Sequence, residues 1–315
     1  MQFYDRAAAI LGGGAIASAL VLTVAQPTFA LTGAQVNAIA KEVTVLIVGQ
    51  RESNGETFVG HGSGVIVTQD GNKYYALTNM HVVSGLSSAI LVTPDETVRE
   101  LDLSQVQPLP GVDLALVEFT SDNTYEVATL APATTSEGQS VFVSGWPSPG
   151  VTGQLVRQFT SGEISGFLGE PVEGYEIIYT NTTRRGMSGG PVFDAGGRVI
   201  AIHGMGDYED PNRLTGIEGM SPEAASNIAS LIKPGFNYSI PIKTYMQLAA
   251  QEGIFLATEV DNAPAPDLAG STTVATEDNN TIERSTLDEV NDVLNTLDRT
   301  TDTIDRIDNT LDGLF

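Results

Sequence analysis

The sequence predicts an all-β fold, either a β-barrel or a β-sandwich. Between residues 43 and 179 short apolar runs follow one another, and turn residues such as those at 70–72 and 147–150 separate them. The chain of 315 residues contains 33 glycines, and 41% of its residues are hydrophobic, which fits a globular fold with many tight turns. Short strands at this spacing are typical of barrels and sandwiches.

The individual elements follow from these apolar runs. Runs rich in valine, isoleucine and leucine predict strands, in chain order, at residues 43–48, 64–67, 74–77, 89–92, 114–119, 141–143, 199–203 and 238–240. The last strand leads directly into residues 242–252, for which we predict a short closing helix.

The first thirty residues have the features of a secretory signal peptide. Arg6 lies in a short polar start, and an apolar run follows from residue 7 to residue 25. The run ends at Pro27, and the small residues Thr28 and Ala30 predict cleavage after Ala30. The alternative is an uncleaved membrane anchor. Under both interpretations we expect the remainder of the chain to be exported, to the periplasm or the extracellular space.

Composition excludes several classes of function. The formal net charge is −24, with 39 acidic and 15 basic residues, which makes nucleic acid an unfavourable partner. The chain has no cysteine and three histidines, so disulfides and thiolate zinc sites are impossible, and no His-Glu-x-x-His motif occurs. We therefore expect neither a metal nor an organic cofactor.

Three polar residues at the ends of predicted strands indicate nucleophilic catalysis. His81 follows the strand at 74–77, Asp113 precedes the strand at 114–119, and Ser188 lies in a glycine-rich turn. A serine hydroxyl is a weak nucleophile until a neighbouring base removes its proton. Histidine can be that base near neutral pH, and a buried carboxylate fixes its tautomer. His, Asp, Ser is one of the chain orders in which such a triad occurs.

The glycines around Ser188 have a separate predicted role, which is to shape an oxyanion hole. They let the backbone bend so that the amides of Gly186 and Ser188 point at one spot. Two other residues are alternatives for the triad. Asp102, eleven residues before Asp113, is the alternative carboxylate, and His61 is expected to be a structural histidine on a glycine-rich strand.

These motifs resemble those of the trypsin-like (chymotrypsin-fold) serine peptidases. The resemblance is to the bacterial branch without cysteines, which includes glutamyl endopeptidases and HtrA-type proteases. Residues 61–66, 78–83 and 186–192 carry it, and it covers roughly residues 36–255. The resemblance implies two packed antiparallel β-barrels, with the histidine and the aspartate in the first barrel and the serine in the second.

The resemblance also implies a pocket for an acidic substrate side chain. In glutamyl endopeptidases a threonine and a histidine at the offsets of Thr183 and His203 hold the substrate carboxylate, to which hydroxyl and imidazole groups can donate. This implies cleavage after Glu and less often after Asp. The alternatives are a core histidine at His203 and cleavage after small apolar residues. Met187 stands where Asp or Asn is commoner in the family, so we expect no ion pair from that position to a freed N-terminus.

Beyond the peptidase-like region, residues 257–281 have the composition of a linker, and residues 282–315 show a heptad pattern. The repeating apolar positions are Leu287, Val290, Leu294, Leu297, Ile304 and Leu311. From 257 to 315 there are 14 acidic residues and 3 arginines, a net charge of −11. This charge opposes close packing of two such helices. The pattern therefore predicts either a weak coiled coil or partner-binding helix, or a solitary acidic amphipathic tail.

Together these observations predict an exported serine endopeptidase that acts on protein or peptide substrates. The competing interpretation from another class is a catalytically inactive, protease-like binding module. The presence of all three triad residues argues against it.

Overall fold

The computed structural model describes residues 30–53, 55–149, 153–206 and 235–266. The predicted signal peptide and the heptad segment lie outside the described residues, and so does the predicted linker beyond residue 266. Among the helices that are described, none is long and apolar enough to cross a membrane.

The described residues form thirteen strands, three α-helices and one 3₁₀ helix. In chain order the elements are α1 (Gly33–Val43), β1 (Thr44–Ser53), β2 (Glu56–Asp70), β3 (Lys73–Thr78), α2 (Met80–Val83), β4 (Ser88–Val92), β5 (Val98–Glu100), the 3₁₀ helix (Leu103–Gln105), β6 (Gln107–Pro108), β7 (Ala115–Thr120), β8 (Ser140–Gly145), β9 (Gln158–Val172), β10 (Tyr175–Tyr179), β11 (Pro191–Phe193), β12 (Val199–Gly206), β13 (Asn237–Pro241) and α3 (Ile242–Gln251).

The strands form two antiparallel sheets, which confirms the prediction of an all-β, chymotrypsin-like architecture. The first sheet has seven strands in the order β5-β4-β1-β2-β3-β7-β6, with β5 and β6 at its ends. The second is a closed six-stranded barrel in the order β10-β13-β12-β11-β8-β9. Only the second unit is therefore closed by strand pairing among the described strands. The long hairpin of β9 and β10 went largely unpredicted, because glycines and polar residues interrupt β9.

The largest core cluster lies between the two sheets and joins them. It includes buried side chains from the first sheet, from the second and from both long helices, among them Leu77, Leu116, Phe193, Ile202, Val36 and Tyr245. At about 25 cal/mol per Å² of buried apolar surface, such a shared core strongly favours a fixed arrangement of the two units. Residues at the facing edges of the two units are therefore held in fixed positions relative to one another.

Helix α1 was not predicted, although its start carries a recognisable signal. Thr32 and Gln35 form a capping box, in which the Thr32 hydroxyl accepts from the Gln35 amide and the Gln35 side chain accepts from the Thr32 amide. One face of the helix buries Val36, Ala40 and Val43. Missing this helix reflects its length of three turns and its position just after the predicted signal peptide.

The chain remains packed on the barrels beyond α3, in a segment that we call the C-terminal strap (residues 256–266). Leu130 donates to the Glu259 carbonyl and accepts from the Asp261 amide. Arg198, 5% exposed, contacts Asp194, Asp261 and two strap carbonyls. Backbone pairing and a buried arginine thus hold the strap on the barrels, although its sequence lacks apolar periodicity.

Candidate active site

His81 and Asp113 meet at the edge of the first sheet that faces the barrel. His81 lies in the one-turn helix α2 directly after β3, and Asp113 lies just before β7, the strand that pairs with β3. Nδ1 of His81 lies 2.6 Å from Oδ2 of Asp113, and the His81 amide donates to Oδ1 at 2.8 Å. The carboxylate therefore places the imidazole proton on Nδ1 and leaves Nε2 as the proton-accepting nitrogen.

The environment of Asp113 keeps its carboxylate ionised. Burial opposes ionisation, but the hydrogen bonds from His81 and Tyr175 outweigh it and hold the pKa of Asp113 below its usual range. Only 11% of its side chain is exposed, against 50% for His81. A buried carboxylate that is hydrogen-bonded to a more exposed imidazole can stabilise the imidazolium form of that ring.

Ser188 lies in the turn before β11, against the strand end that carries His81. Its carbonyl accepts from the Ser63 amide at 2.8 Å, and a Cβ on Gly189 would collide with the Ser63 carbonyl and the Thr78 hydroxyl. The Ser188 hydroxyl donates to the Gly204 carbonyl at 3.2 Å. In this conformation the hydroxyl proton is therefore directed at a backbone carbonyl.

The amides of Gly186 and Ser188 are the predicted oxyanion donors. Within the described residues neither amide makes a hydrogen bond, whereas the flanking amides of Met187, Gly189 and Gly190 do. Gly186 has a φ of 93°, a conformation that favours glycine. The turn therefore presents two unpaired donors, as an oxyanion hole requires.

Strand β2 of the first sheet contacts the turn that contains Gly186 and Ser188. The Ser63 hydroxyl donates to the Gly186 carbonyl at 2.9 Å and accepts from the Trp146 amide at 2.8 Å. Nε2 of His61 lies 3.0 Å from the Trp146 carbonyl, and a Cβ on Gly186 would collide with this nitrogen. Burial lowers the pKa of His61 to about 4, so its neutral ring donates from Nε2 near neutral pH. His61 thus has a structural position, as the sequence analysis expected.

Thr183 and His203 are both buried in the closed barrel, at 2% and 1% exposure. The Thr183 hydroxyl donates to the Asn237 side-chain carbonyl. Nδ1 of His203 lies 2.5 Å from the Tyr179 hydroxyl, and burial raises the pKa of Tyr179, so that the hydroxyl is protonated and donates.

The alternative carboxylate and the neighbouring arginines have other positions. Asp102 caps the 3₁₀ helix, where Oδ1 accepts from the Ser104 amide at 3.0 Å and the Ser104 hydroxyl at 2.6 Å. It makes no hydrogen bond to His81 among the described contacts. Arg184 and Arg185 are exposed. Met187 is fully buried.

Sequence reasoning missed four residues that contact the site, namely Ser63, Tyr175, Tyr179 and Asn237. Each is polar, buried and bonded to a residue that was predicted. Only Ser63 carried a local signal, because it stands between two glycines in residues 61–66. Tyr179 and Asn237 lie opposite each other in the pairing of β10 with β13, and Tyr175 lies next to the turn between β9 and β10. The sequence does not encode these pairings locally.

Comparison with known proteins gives a consistent family match. Residues 62–202 match the sequence profile of the trypsin-like peptidase domain. The chain is 30% identical over 187 residues to the serine protease Do-like HtrA of Bacillus subtilis, covering 56% of this chain and 39% of that protein. It is 27% identical over 232 residues to a probable periplasmic serine endoprotease DegP-like of Brucella suis, covering 66% and 42%.

Solved structures give the same fold. The HtrA-type protease AlgW, solved with a tripeptide, superposes with a TM-score of 0.52 at 22% sequence identity, covering 71% of this chain and 64% of that one. The chain spans about two fifths of the length of the curated relatives described above.

Proposed function

Because residues 62–202 are a trypsin-like peptidase domain of the HtrA type, we propose that this chain is a serine endopeptidase with a catalytic triad of His81, Asp113 and Ser188. The observation that carries the proposal is the doubly hydrogen-bonded pair of His81 and Asp113, which lies beside a serine turn with two unpaired amides. An ion pair with a half-exposed imidazole contributes little to stability, which favours a catalytic role for this pair.

The proposed reaction begins when a peptide enters between the two units. The Ser188 hydroxyl turns from the Gly204 carbonyl towards Nε2 of His81, which removes its proton as the oxygen attacks the peptide carbonyl. Asp113 stabilises the imidazolium that forms. The amides of Gly186 and Ser188 donate to the oxyanion, and such a donor is worth ~10²–10³ in turnover. His81 then protonates the leaving amine, and water releases the acyl group.

We also propose a preference for Glu at the residue before the scissile bond. The support is the burial of Thr183 and His203, at 2% and 1% exposure, together with their hydrogen bonds to Asn237 and Tyr179. The Thr183 hydroxyl donates its only proton to Asn237, so it must turn away from Asn237 before it can donate to a substrate carboxylate. The burial of both donors also favours the second candidate, cleavage after small apolar residues, because a carboxylate entering this space must give up its hydration.

Export to the periplasm or the extracellular space, with proteins or peptides as substrates, completes the proposal. It is supported by the signal-peptide features of residues 1–30 and by the periplasmic DegP-like relative. The peptidase fold requires no metal or organic cofactor for this chemistry.

The catalytic assignment is tested by Ser188→Ala, with Ser87→Ala as a matched control on an exposed serine. We expect Ser188→Ala to abolish covalent labelling by a fluorophosphonate and to reduce turnover by on the order of 10⁶, while the melting temperature stays unchanged. His81→Ala should have a similar effect, and the double variant should lose little more. Labelling that persists in Ser188→Ala would exclude this serine as the nucleophile.

The specificity assignment is tested by His203→Ala on two peptides that differ only in Glu or Ala before the scissile bond. We expect kcat/KM to fall about 5–150-fold on the Glu peptide and much less on the Ala peptide, because the substrate carboxylate loses its donor. Equal losses on both peptides, or a wild-type enzyme that does not prefer Glu, would favour cleavage after small apolar residues.

A further inference from the structure

The carboxylate of Asp113 has a third donor, the hydroxyl of Tyr175, which comes from the other unit of the molecule. Tyr175 Oη donates to Oδ2 of Asp113 at 2.6 Å, and this oxygen also contacts Nδ1 of His81 at 2.6 Å. Oδ1 accepts from the His81 amide at 2.8 Å. The carboxylate is thus bonded from both sides of the interface, and turning it about its Cβ–Cγ bond would break at least one of these bonds.

The turn between β9 and β10 brings Tyr175 to this place and presses directly on the Asp113 segment. The Asp113 amide donates to the Glu173 carbonyl at 2.9 Å. A Cβ on Gly174 would lie 2.7 Å from a methyl group of Val112, and Gly174 has a φ of 88°. Both the backbone and the side chain of one turn therefore contact the residue that would orient the base.

The hydroxyl has a dedicated space and a fixed protonation state. Tyr175 is 1% exposed, and burial together with the Asp113 carboxylate raises its pKa far above the usual range. Its hydroxyl is therefore protonated and can donate at neutral pH. A Cβ on Gly204 would collide with Oη, so the residue whose carbonyl accepts from Ser188 must be small for Tyr175 to reach Asp113.

We propose that Tyr175 is a positioning residue of the triad, whose hydroxyl holds the Asp113 carboxylate in the orientation in which it meets Nδ1 of His81. The inference rests on the proposed function, because it assigns Tyr175 a task in the same site. Tyr175 does not touch the reacting atoms; it acts through Asp113. Its loss lets the carboxylate turn, and the imidazole then spends less time directed at Ser188.

The first test is Tyr175→Phe, with Tyr74→Phe as a matched control. Tyr74 is also buried, at 3% exposure, and its oxygen accepts from the Tyr125 amide at 3.3 Å, but it lies in the core of the first sheet. We expect kcat of Tyr175→Phe to fall on the order of tenfold, with KM changed less than about twofold, because only orientation of the base is lost. Tyr74→Phe should keep wild-type kcat. Wild-type kcat in Tyr175→Phe would overturn the proposal.

A double-mutant cycle with Asp113→Asn separates positioning from general damage. The readout is the rate of fluorophosphonate labelling, which remains measurable in slow variants. If Tyr175 acts through the Asp113 carboxylate, Tyr175→Phe should change the rate much less in the Asp113→Asn background than in the wild type. An equal factor in both backgrounds would indicate a purely structural role and would overturn the proposal.

The contact can also be tested without an activity assay, by measuring stability against pH. This test remains informative even if the proposed function is wrong. The groups that face Asp113 are His81 and Tyr175, with Glu173 next to them. Because the Tyr175 bond helps to depress the Asp113 pKa, its stabilisation is present at neutral pH and is lost as pH falls below about 4. The stability difference between wild type and Tyr175→Phe should shrink over that range, whereas that of Tyr74→Phe should not. A stability difference between wild type and Tyr175→Phe that stays constant with pH would overturn the proposal. A wild-type protein that the fluorophosphonate does not label would contradict only the proposed function.

Discussion

Single residues of the first unit hold the backbone of the serine turn in the second. Ser63 is fully buried and uses both its hydroxyl and its amide on the turn, through the carbonyls of Gly186 and Ser188. His61 fixes the Trp146 carbonyl beside the same glycine. Because a buried polar group left unpaired costs about 1–3 kcal/mol, these bonds define one conformation of the turn. Burial of His61 also disfavours protonation of its imidazole and lowers its pKa to about 4.

His61 predicts an acid-dependent loss of stability. Its folded pKa is lowered from 6.5 to about 4 by burial, with Arg185 adding to the effect. The unfolded chain therefore takes up the proton first, and stability falls as pH decreases from 6.5 to about 4, by up to about 1.4 kcal/mol per pH unit. His61→Gln, whose amide can donate in the same place without titrating, should lose less stability over this range. Denaturant unfolding at several pH values measures the difference; parallel curves would contradict the assignment.

Among the elements, the C-terminal strap (residues 256–266) makes contacts with the rest of the fold that its sequence did not predict. It extends across both units: the Ala257 carbonyl accepts from Thr68 of β2 at 2.6 Å, and Asp261 pairs with Arg198 at 2.8 Å. Arg198 also pairs with Asp194, which is fully buried. A buried charge that loses part of its partners is strongly destabilising, so the strap belongs to the folded domain and is unlike a free linker.

Two truncations test the role of the strap. Deleting residues 257–315 should destabilise the protein by about 1–3 kcal/mol, because Arg198 keeps Asp194 but loses Asp261 and two carbonyl partners. Deleting residues 267–315 preserves all of these contacts and should therefore cost less stability than the longer deletion. Thermal melts of both forms beside the full chain measure this. Equal melting temperatures for the two truncations would show that the strap contributes nothing.

For the whole molecule, the dominant feature is the excess of acidic residues. Of the net charge of −24, residues 257–315 contribute −11. The heptad stripe in this region provides apolar positions for association, while like charges oppose it, and salt weakens that opposition. Oligomeric state should therefore depend on ionic strength if the stripe is an association surface.

Sedimentation of the full chain and of the form lacking residues 267–315 tests this surface. We expect the full chain to associate more at high salt than at low salt, because screening reduces repulsion over a Debye length of about 10 Å or less at 0.1 M and above. The truncated form should remain a monomer at every salt concentration and retain peptide hydrolysis. A full chain that stays monomeric throughout would remove the coiled-coil interpretation and leave the solitary tail.

The sequence by itself determined the fold class and the residues proposed for the chemistry. Alternating apolar runs and turns are local properties of the chain, and so β3, β7 and the closing helix lie where they were expected. His81, Asp113 and Ser188 were recognisable because each stands at a strand end in a short motif. The local pattern also offers Asp102 as an alternative. The structure distinguishes the two aspartates, because Asp113 contacts His81 whereas Asp102 caps the 3₁₀ helix.

Tertiary structure alone decided which polar groups meet across the interface. Tyr175 contacts Asp113 over 62 residues of chain, Ser63 contacts Gly186 over 123, and Thr68 contacts Ala257 over 189. Such contacts depend on strand order, on closure of the second barrel and on the shared core, none of which is encoded in a short window of sequence. The residues proposed for the chemistry can therefore be identified from the sequence, whereas the hydrogen bonds that orient them form only when the two units pack.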